Sequence, residues 1–202
     1  STESQAVVSE TLLTTQSEAK PTVVDADALN TLAVTPEWWK RISSQTILTP
    51  HSREMSRLAG VSLEQVDENR WEIALESAYR WGVVVLLKGP FSVIASPSGE
   101  LRIIPFANPV LATAGTGDVL AGIIGAMLAR NMSPFDAATI GAAIHGIAGE
   151  LLEVDLGNQG ALATDQLTHL PRAIRSMNTA WPVREFQETC LLYTSPSPRD
   201  GL

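Results

Sequence analysis

A run of small residues beside an acid is the strongest chemical signal in the sequence. Residues 111–118 read Leu-Ala-Thr-Ala-Gly-Thr-Gly-Asp and lead directly into an apolar segment that predicts a helix. Small residues let the backbone come close to a ligand, and a helix N-terminus offers free N–H groups with about half a positive charge. Gly115, Thr116 and Gly117 therefore predict an anion hole for a phosphate group.

Asp118 lies in the first turn of that predicted helix, beside the predicted phosphate site. A carboxylate in this position is suited to take a proton from a hydroxyl group as the hydroxyl attacks a phosphoryl group. The alternative is a tight turn in which Asp118 only caps the helix. The glycines alone favour the two interpretations equally.

A second candidate segment, residues 49–54, follows a predicted strand and reads Thr-Pro-His-Ser-Arg-Glu. Ligands bind at strand ends in open α/β sheets. Glu54 is a candidate to hold Mg²⁺ through water, and His51 offers a hydrogen bond to a ligand. The alternative is a helix cap, in which Ser52 serves the first turn and Glu54 interacts favourably with the helix dipole. Taken alone, this segment favours the alternative.

A third candidate segment follows an apolar run and reads Lys88-Gly89-Pro90-Phe91-Ser92. Lys88 is a candidate phosphate contact, Gly89 permits close approach of the backbone, and Phe91 is a candidate to cover an adenine. The alternative is a β-turn with Phe91 in the core, which this segment alone favours.

Three other polar residues each allow two interpretations. Asp25 and Asp27 lie at the end of a predicted strand, where they indicate either a metal site or a pair in which one caps a helix and the other accepts backbone N–H bonds. The two interpretations are equally favoured. His145 lies among small helical residues, which predicts a histidine that packs in the core rather than a ligand contact.

Strands and helices alternate along the chain, which predicts an α/β layered fold with a mainly parallel sheet. The run at 83–87 indicates a strand buried on both faces, and the run at 119–129 indicates a helix buried all round. The other predicted strands are 22–25, 46–49 and a hairpin of 91–96 with 101–104, and the other predicted helices are 62–81, 134–153 and 164–177.

The composition limits the classes of function. The 202 residues are 45% apolar and 18% charged, with a net charge of -8. This describes a globular protein, and the acidic charge disfavours nucleic acid and anionic membranes as partners. Cys190 is the single cysteine, so an internal disulfide is impossible and a cytoplasmic location is expected. No run approaches the ~20 apolar residues of a membrane helix, and no signal peptide is visible.

The two ends of the chain differ from its middle. The chain begins without Met inside a predicted helix, which indicates the interior of a domain rather than its start. Residues 1–178 are predicted to form one domain. Residues 179–202 lose apolar periodicity and carry two Ser-Pro pairs, which predicts a disordered or non-native tail.

Taken together and in this order, these segments distinguish one protein family from others. The sequence has DADALN at 25–30, TPH at 49–51 with Glu54 three residues on, LLKG at 86–89 followed by Ser-Val-Ile, and NPVLATAGTGDVLAG at 108–122. In the identity and order of these segments, the chain resembles the ADP-dependent NAD(P)H-hydrate dehydratase family over roughly residues 6–175. The resemblance implies a ribokinase-like three-layer sandwich, here without the family's first strands and glycine-rich substrate loop.

The resemblance also implies a reaction. The family returns hydrated NADH and NADPH to the active cofactors and consumes ADP or ATP, by phosphorylation of the C6 hydroxyl and elimination of phosphate. It needs Mg²⁺, and a homo-oligomer, typically a tetramer, is expected. By position, His51 and Asp118 match contacts to the hydrated cofactor, with Asp118 as the base. Lys88 to Ser92 and Gly117 match contacts to the adenine nucleotide, and Glu54 matches the acid of a magnesium motif.

Several departures from the family pattern leave alternatives open. Ser52-Arg53 replace a Pro-Gly pair, Ser92 replaces Thr, and Ala114 replaces a Gly, which would crowd the anion hole if that position needs a left-handed backbone. One alternative is a ribokinase-like small-molecule kinase, although such kinases usually carry Asn at the position of His51. The other is a non-catalytic nucleotide-binding or oligomerisation module.

Overall fold

The computed structural model describes residues 20–157 and 159–180 of the protein. Its strands are β1 (Thr22–Val24), β2 (Thr46–Leu48), β3 (Val84–Leu87), β4 (Val93–Ala95) and β5 (Leu101–Ile103). Its α-helices are α1 (Asp27–Ala33), α2 (Ser52–Ala59), α3 (Leu63–Glu68), α4 (Arg70–Trp81), α5 (Thr116–Ala129), α6 (Pro134–Leu156), α7 (Ala163–Leu167) and α8 (Leu170–Ala180). Short 3₁₀ helices span Trp38–Lys40 and Pro109–Ala112.

The strands form one sheet in the order in which they occur along the chain. β1, β2 and β3 are parallel, whereas β3, β4 and β5 are antiparallel neighbours, so the predicted hairpin is confirmed. Three of the candidate segments come directly after the C-terminal ends of β1, β2 and β3, which are the parallel strands. These three strand ends therefore lie along one edge of the sheet.

Alternate residues of β3 divide the core into two layers. Val84 and Leu86 belong to an apolar cluster with residues of α5, α6 and α8, and Val85 and Leu87 belong to a second cluster with residues of α1 to α4. All four side chains are buried, as expected for a strand covered on both faces. The structure is therefore the predicted three-layer sandwich, with helices on both faces of a central sheet.

Three helix predictions need correction. The predicted helix 62–81 is two helices, because the backbone of Asn69 leaves the helical region (φ -128°, ψ 48°) between α3 and α4. The predicted helix 164–177 is also two helices, α7 and α8. Helix α5 is not buried all round: its Leu120 and Ile124 are buried, whereas Gly122 and Ala126 are exposed.

Helix α6 is the long central helix of its layer and begins where the sequence predicts. Ser133 caps it by accepting a hydrogen bond from the Asp136 N–H, and Pro134 fills the first position. By length and composition α6 could cross a membrane, but 72% of its most apolar window is buried inside the fold. A Cβ at Gly146 would lie 2.1 Å from the Phe106 ring, so only glycine lets α6 pack against that ring.

Two predictions fall on residues outside the described ranges. The expected helix near residues 6–13 lies there, and so do residues 181–202 of the predicted tail. The last described helix continues to Ala180, two residues beyond the predicted end of the domain.

Candidate functional site

Residues from three strand ends and one helix start meet at the parallel edge of the sheet. Asp25 follows β1, His51 and Glu54 follow β2, and Lys88 follows β3. The start of α5 packs over the same edge: a Cβ at Gly117 would lie 3.4 Å from Asp25 Oδ2 and 3.5 Å from Lys88 Nζ. The fold therefore brings together segments that lie far apart in the sequence.

The Lys88 ammonium group lies between two carboxylates. Its Nζ is 2.6 Å from Asp25 Oδ1 and 4.0 Å from Glu54 Oε2, and all three side chains are largely buried. The Asp25 carboxylate is thus the partner of a cation. The N-cap of α1 is Ala26, which makes no side-chain hydrogen bond, so the interpretation of Asp25 and Asp27 as cap and N–H acceptor is wrong.

His51, rather than Ser52, caps helix α2. Its Nδ1 accepts hydrogen bonds from the backbone N–H groups of Arg53 (3.1 Å) and Glu54 (3.3 Å). Glu54 completes a capping box, since its Oε2 accepts from the His51 N–H at 2.9 Å. The predicted cap exists, but one residue earlier than expected. Nδ1 serves the helix, and Nε2 lies 3.4 Å from Glu54 Oε1 on a half-exposed side chain.

The carboxylates suit Mg²⁺ only with help from other ligands. Mg²⁺ takes oxygen ligands and usually keeps several waters, with one or two carboxylates and substrate phosphates. Asp25 and Glu54 supply such oxygens on either side of Lys88. No group of three or more His, Cys, Asp or Glu side chains is placed to hold a metal ion by itself within residues 20–157 and 159–180. The residues fit an ion held in part by water and phosphate.

The first turn of α5 has no side-chain cap. Gly115 precedes the helix with a left-handed backbone (φ 91°), whereas Ala114 has no positive φ, so the expected crowding by Ala114 does not arise. The N–H groups of Thr116 and Asp118 bond to the carbonyls of Thr113 and Gly115. The Gly117 N–H has no partner among the described residues, and the Asp118 side chain is exposed beside it.

A cavity of about 300 Å³ opens beside this turn. Its wall includes four of the five residues 88–92, residues of the connection 104–112, Thr116 and Gly117 of α5, and a face of α6 that carries His145. The volume is at the lower end of the range for small-molecule pockets. Thus the predicted nucleotide contacts lie together at one cavity, apart from Phe91, which does not line it.

Phe91 and Gly89 occupy unusual environments. Phe91 is 54% exposed with a left-handed backbone (φ 52°), so the alternative that it packs in the core is wrong. A Cβ at Gly89 would lie 2.9 Å from the Arg70 guanidinium. Arg70 donates to the carbonyls of Leu87 and Lys88 and to Ser52 Oγ, and burial lowers its pKa from the ordinary value. It therefore ties the end of β3 to the start of α2.

His145 is buried, as predicted for a histidine that packs in the core, whereas the absence of a ligand contact stays a prediction. It also lines the cavity, and its Nε2 lies 2.9 Å from the Thr116 carbonyl oxygen. Burial lowers its pKa to about 4; the hydrogen bond to Thr116 opposes this shift, and the charge of Lys88 adds to it. At neutral pH the imidazole is therefore neutral.

Sequence reasoning missed two parts of the site. Nothing in the residue pattern around Arg70 distinguishes it from a surface arginine of an amphipathic helix. The wall formed by Phe106 and Leu111 was also missed, although a signal exists: Gly146 and Gly149 lie three residues apart on α6, and a Cβ at either would clash with one of these side chains. Such spacing of glycines on a helix indicates a close neighbour.

Comparison with known proteins identifies the family of the chain. Residues 3–172 match the family described as NAD(P)H-hydrate dehydratase. The bifunctional NAD(P)H-hydrate repair enzyme of Moorella thermoacetica is 43% identical over 157 residues, which are 78% of this chain and 30% of that protein. The ADP-dependent (S)-NAD(P)H-hydrate dehydratase of Neisseria meningitidis is 38% identical over 82% of this chain and 56% of that protein.

A solved structure of a dehydratase is also similar to this chain. The ADP/ATP-dependent NAD(P)H-hydrate dehydratase of Bacillus subtilis, co-crystallised with ATP/Mg²⁺ and soaked with CoA, has a TM-score of 0.71 and 34% identity. The similarity covers 80% of this chain and 58% of that one, so the chain spans between about a third and three fifths of these relatives. The match over residues 3–172 shows that the chain belongs to the NAD(P)H-hydrate dehydratase family.

Proposed function

We propose that the whole protein dehydrates hydrated NADH and NADPH to the active cofactors and consumes ADP or ATP with Mg²⁺. The observation that carries the proposal is that Lys88 and Gly117 meet at the wall of a cavity, with Asp118 exposed next to Gly117, in a chain of this family. The names of the relatives support the substrate, and the ATP/Mg²⁺ used with the Bacillus subtilis enzyme supports the nucleotide and the metal.

In this proposal the nucleotide occupies the cavity between residues 88–92 and the start of α5. The Gly117 N–H and the Lys88 ammonium group bind its phosphates, because both donors lie at the cavity wall. Asp25 and Glu54 would hold a magnesium ion together with water and phosphate oxygens. When bound, the ion would supply positive charge to the phosphates, as metal ions do in phosphoryl transfer.

Asp118 and His51 face the hydrated cofactor in this proposal. Asp118 takes the proton of the C6 hydroxyl while the hydroxyl oxygen attacks the terminal phosphoryl group of the nucleotide. The bond between that phosphoryl group and the rest of the nucleotide breaks, so ADP leaves as AMP and ATP leaves as ADP. The C6–O bond of the new ester then breaks with loss of a proton from C5, which releases phosphate and restores the C5–C6 double bond of the ring. Exposure of Asp118 in the free chain leaves it accessible to such a substrate. A homo-oligomer and a cytoplasmic location stay predictions.

The test is recovery of NADH absorbance from hydrated NADH by the whole protein. We expect recovery with ADP or ATP plus Mg²⁺, and none without nucleotide or with EDTA in excess over the metal. A folded whole protein that restores no NADH with either nucleotide would refute the proposal. Recovery that is indifferent to nucleotide would also refute it.

A further inference from the structure

His145 carries its proton on Nε2. The atom 2.9 Å away is the carbonyl oxygen of Thr116, which can only accept a hydrogen bond. Nε2 must therefore donate, and in the neutral imidazole Nδ1 is then without a proton. The ring is buried, and the neutral form is the one that this environment favours.

The hydrogen bond from His145 acts on the peptide that ends in the anion-hole donor. The carbonyl of Thr116 and the N–H of Gly117 belong to one planar peptide group and point in opposite directions. A donor on the carbonyl fixes the direction of the N–H and polarises it, since hydrogen bonds in series strengthen one another. The Gly117 N–H is also the donor of this turn that has no partner among the described residues.

Both ends of this contact are held in place. Gln166 is fully buried, and its Nε2 donates to the His145 carbonyl at 2.9 Å. Thr116 Oγ1 lies 2.7 Å from the carbonyl oxygens of Leu111 and Thr113, which secures the turn that precedes α5. The contact thus joins α6 and α7 to the first turn of α5 through buried groups, so the imidazole has little freedom to move.

We propose that His145 is a positioning residue of the anion hole, which fixes and polarises the Thr116–Gly117 peptide so that the Gly117 N–H binds a nucleotide phosphate. The inference rests on the proposed function, because it needs a phosphate at that N–H. It assigns His145 no contact with the reacting atoms. It explains why a neutral histidine, rather than an apolar residue, lies behind the turn.

The first experiment uses the unaltered protein and ¹⁵N NMR of its histidines. We expect His145 to be the Nε2–H tautomer at neutral pH, with ADP and without it. An Nδ1–H tautomer or a charged ring would overturn the inference. This measurement does not depend on whether a variant folds.

The second experiment compares ADP with adenosine, which has no phosphate, as ligands in calorimetry with Mg²⁺. His145→Leu should bind ADP about tenfold more weakly, the scale of one hydrogen bond, while its affinity for adenosine stays unchanged. His145→Gln keeps an N–H donor and should recover most of the ADP affinity. His169→Leu makes the same exchange at a histidine that bonds to Asp155 outside the cavity lining, and should change neither affinity.

The outcomes separate three cases. Equal losses for ADP and adenosine in His145→Leu would mean a packing role and would overturn the inference, as would unchanged ADP affinity. If His145→Leu does not fold, His145→Gln is compared with Gly117→Val, which shields the N–H itself. A loss of ADP affinity in His145→Gln as large as that in Gly117→Val would overturn the inference. An unaltered protein that binds no ADP would refute the proposed function itself, and the inference with it.

Discussion

Two helices begin at the candidate site, and their first turns are satisfied in opposite ways. At α2 the His51 side chain accepts two backbone N–H groups, and Glu54 returns a hydrogen bond to the His51 N–H. At α5 no side chain caps the helix, and the Gly117 N–H has no partner in the described ranges. The first turn of α5 is instead supported by α6, through the hydrogen bond from His145 to the Thr116 carbonyl.

The difference separates a helix start whose backbone donors are satisfied by side chains from one that leaves a donor available, as the proposed phosphate site requires. A side-chain cap contributes about 1 kcal/mol to stability, and α3 and α6 have such caps in Ser62 and Ser133. A Cβ at Gly115 would lie 3.0 Å from the Ala163 Cβ, and the left-handed backbone there (φ 91°) favours glycine, so this position cannot easily carry a capping side chain. The uncapped turn keeps a donor available at the cavity wall, and the buried network supplies the rigidity that a cap would otherwise provide.

The largest expected effect concerns the acid at the uncapped turn. Asp118→Asn keeps the size of the side chain but removes the proton acceptor, so kcat of the whole protein should fall at least ~100-fold with little change in ADP affinity. Glu64→Gln removes the same charge from the first turn of the capped helix α3 and serves as the control. A variant at Asp118 that keeps most of its turnover would contradict the assignment.

The next effect concerns the free donor itself. Gly117→Val places a branched side chain toward Asp25 and Lys88 and shields the N–H, so ADP should bind about 30-fold more weakly, the scale of a charged hydrogen bond. Gly122→Val is the matched control on α5, because a Cβ there meets nothing within 4 Å. Calorimetry with ADP and Mg²⁺ measures both. Equal affinities in the two variants would move the phosphate site elsewhere.

A third effect concerns the free energy of unfolding at acidic pH. The pKa of His145 is about 4 in the folded protein and near 6.5 in the unfolded chain, so below pH 6.5 the unfolded chain binds a proton that the folded one excludes. Stability is therefore lost as the pH falls, by about 2 kcal/mol between about pH 6.5 and 4.5. Urea unfolding at several pH values should show this loss in the native protein and a smaller one in His145→Gln. The positive charge of Lys88 adds to the lowering of the His145 pKa. If the free energy of unfolding fell equally with pH in the native protein and in His145→Gln, the assignment of this loss to His145 would be wrong.

The smallest effect concerns the capped start of α2. His51→Ala removes the acceptor for two N–H groups and should lower the free energy of unfolding by about 1 kcal/mol. His51→Asn keeps a capping side chain and should restore most of that stability, although it also lacks the imidazole. Urea unfolding distinguishes them. Equal stability of the two variants would show that the cap contributes nothing.

Features set by neighbouring residues could be predicted from the sequence, and features set by distant pairs could not. The strands, the hairpin turn and the Ser133 cap depend on local patterns, and the structure has them all. The break at Asn69 was missed because apolar positions continue through it, while the Asn69 side chain bonds back to the Gln65 carbonyl.

The candidate site shows the same division. Its segments could be recognised, but their partners could not. Lys88 pairs with Asp25, which lies 63 residues away, and His145 bonds to Thr116, which lies 29 residues away. Spacing along the chain holds no information about such contacts, because they are set by the order of the strands and the packing of the helices. The cap at His51 was misplaced by one residue because serine is the commoner cap.

The order of the sheet also bears on how the protein folds. Each strand pairs with its neighbour in the chain: β3–β4 and β4–β5 each close a loop of five residues, and β1–β2 and β2–β3 close loops of 21 and 35 residues. The start of α5 closes a longer loop, since Gly117 meets Asp25, which lies 92 residues earlier in the chain. We therefore expect the sheet to form first and the turn at the start of α5 to become ordered late, so that ADP, if it binds there as proposed, would bind only after the last folding step.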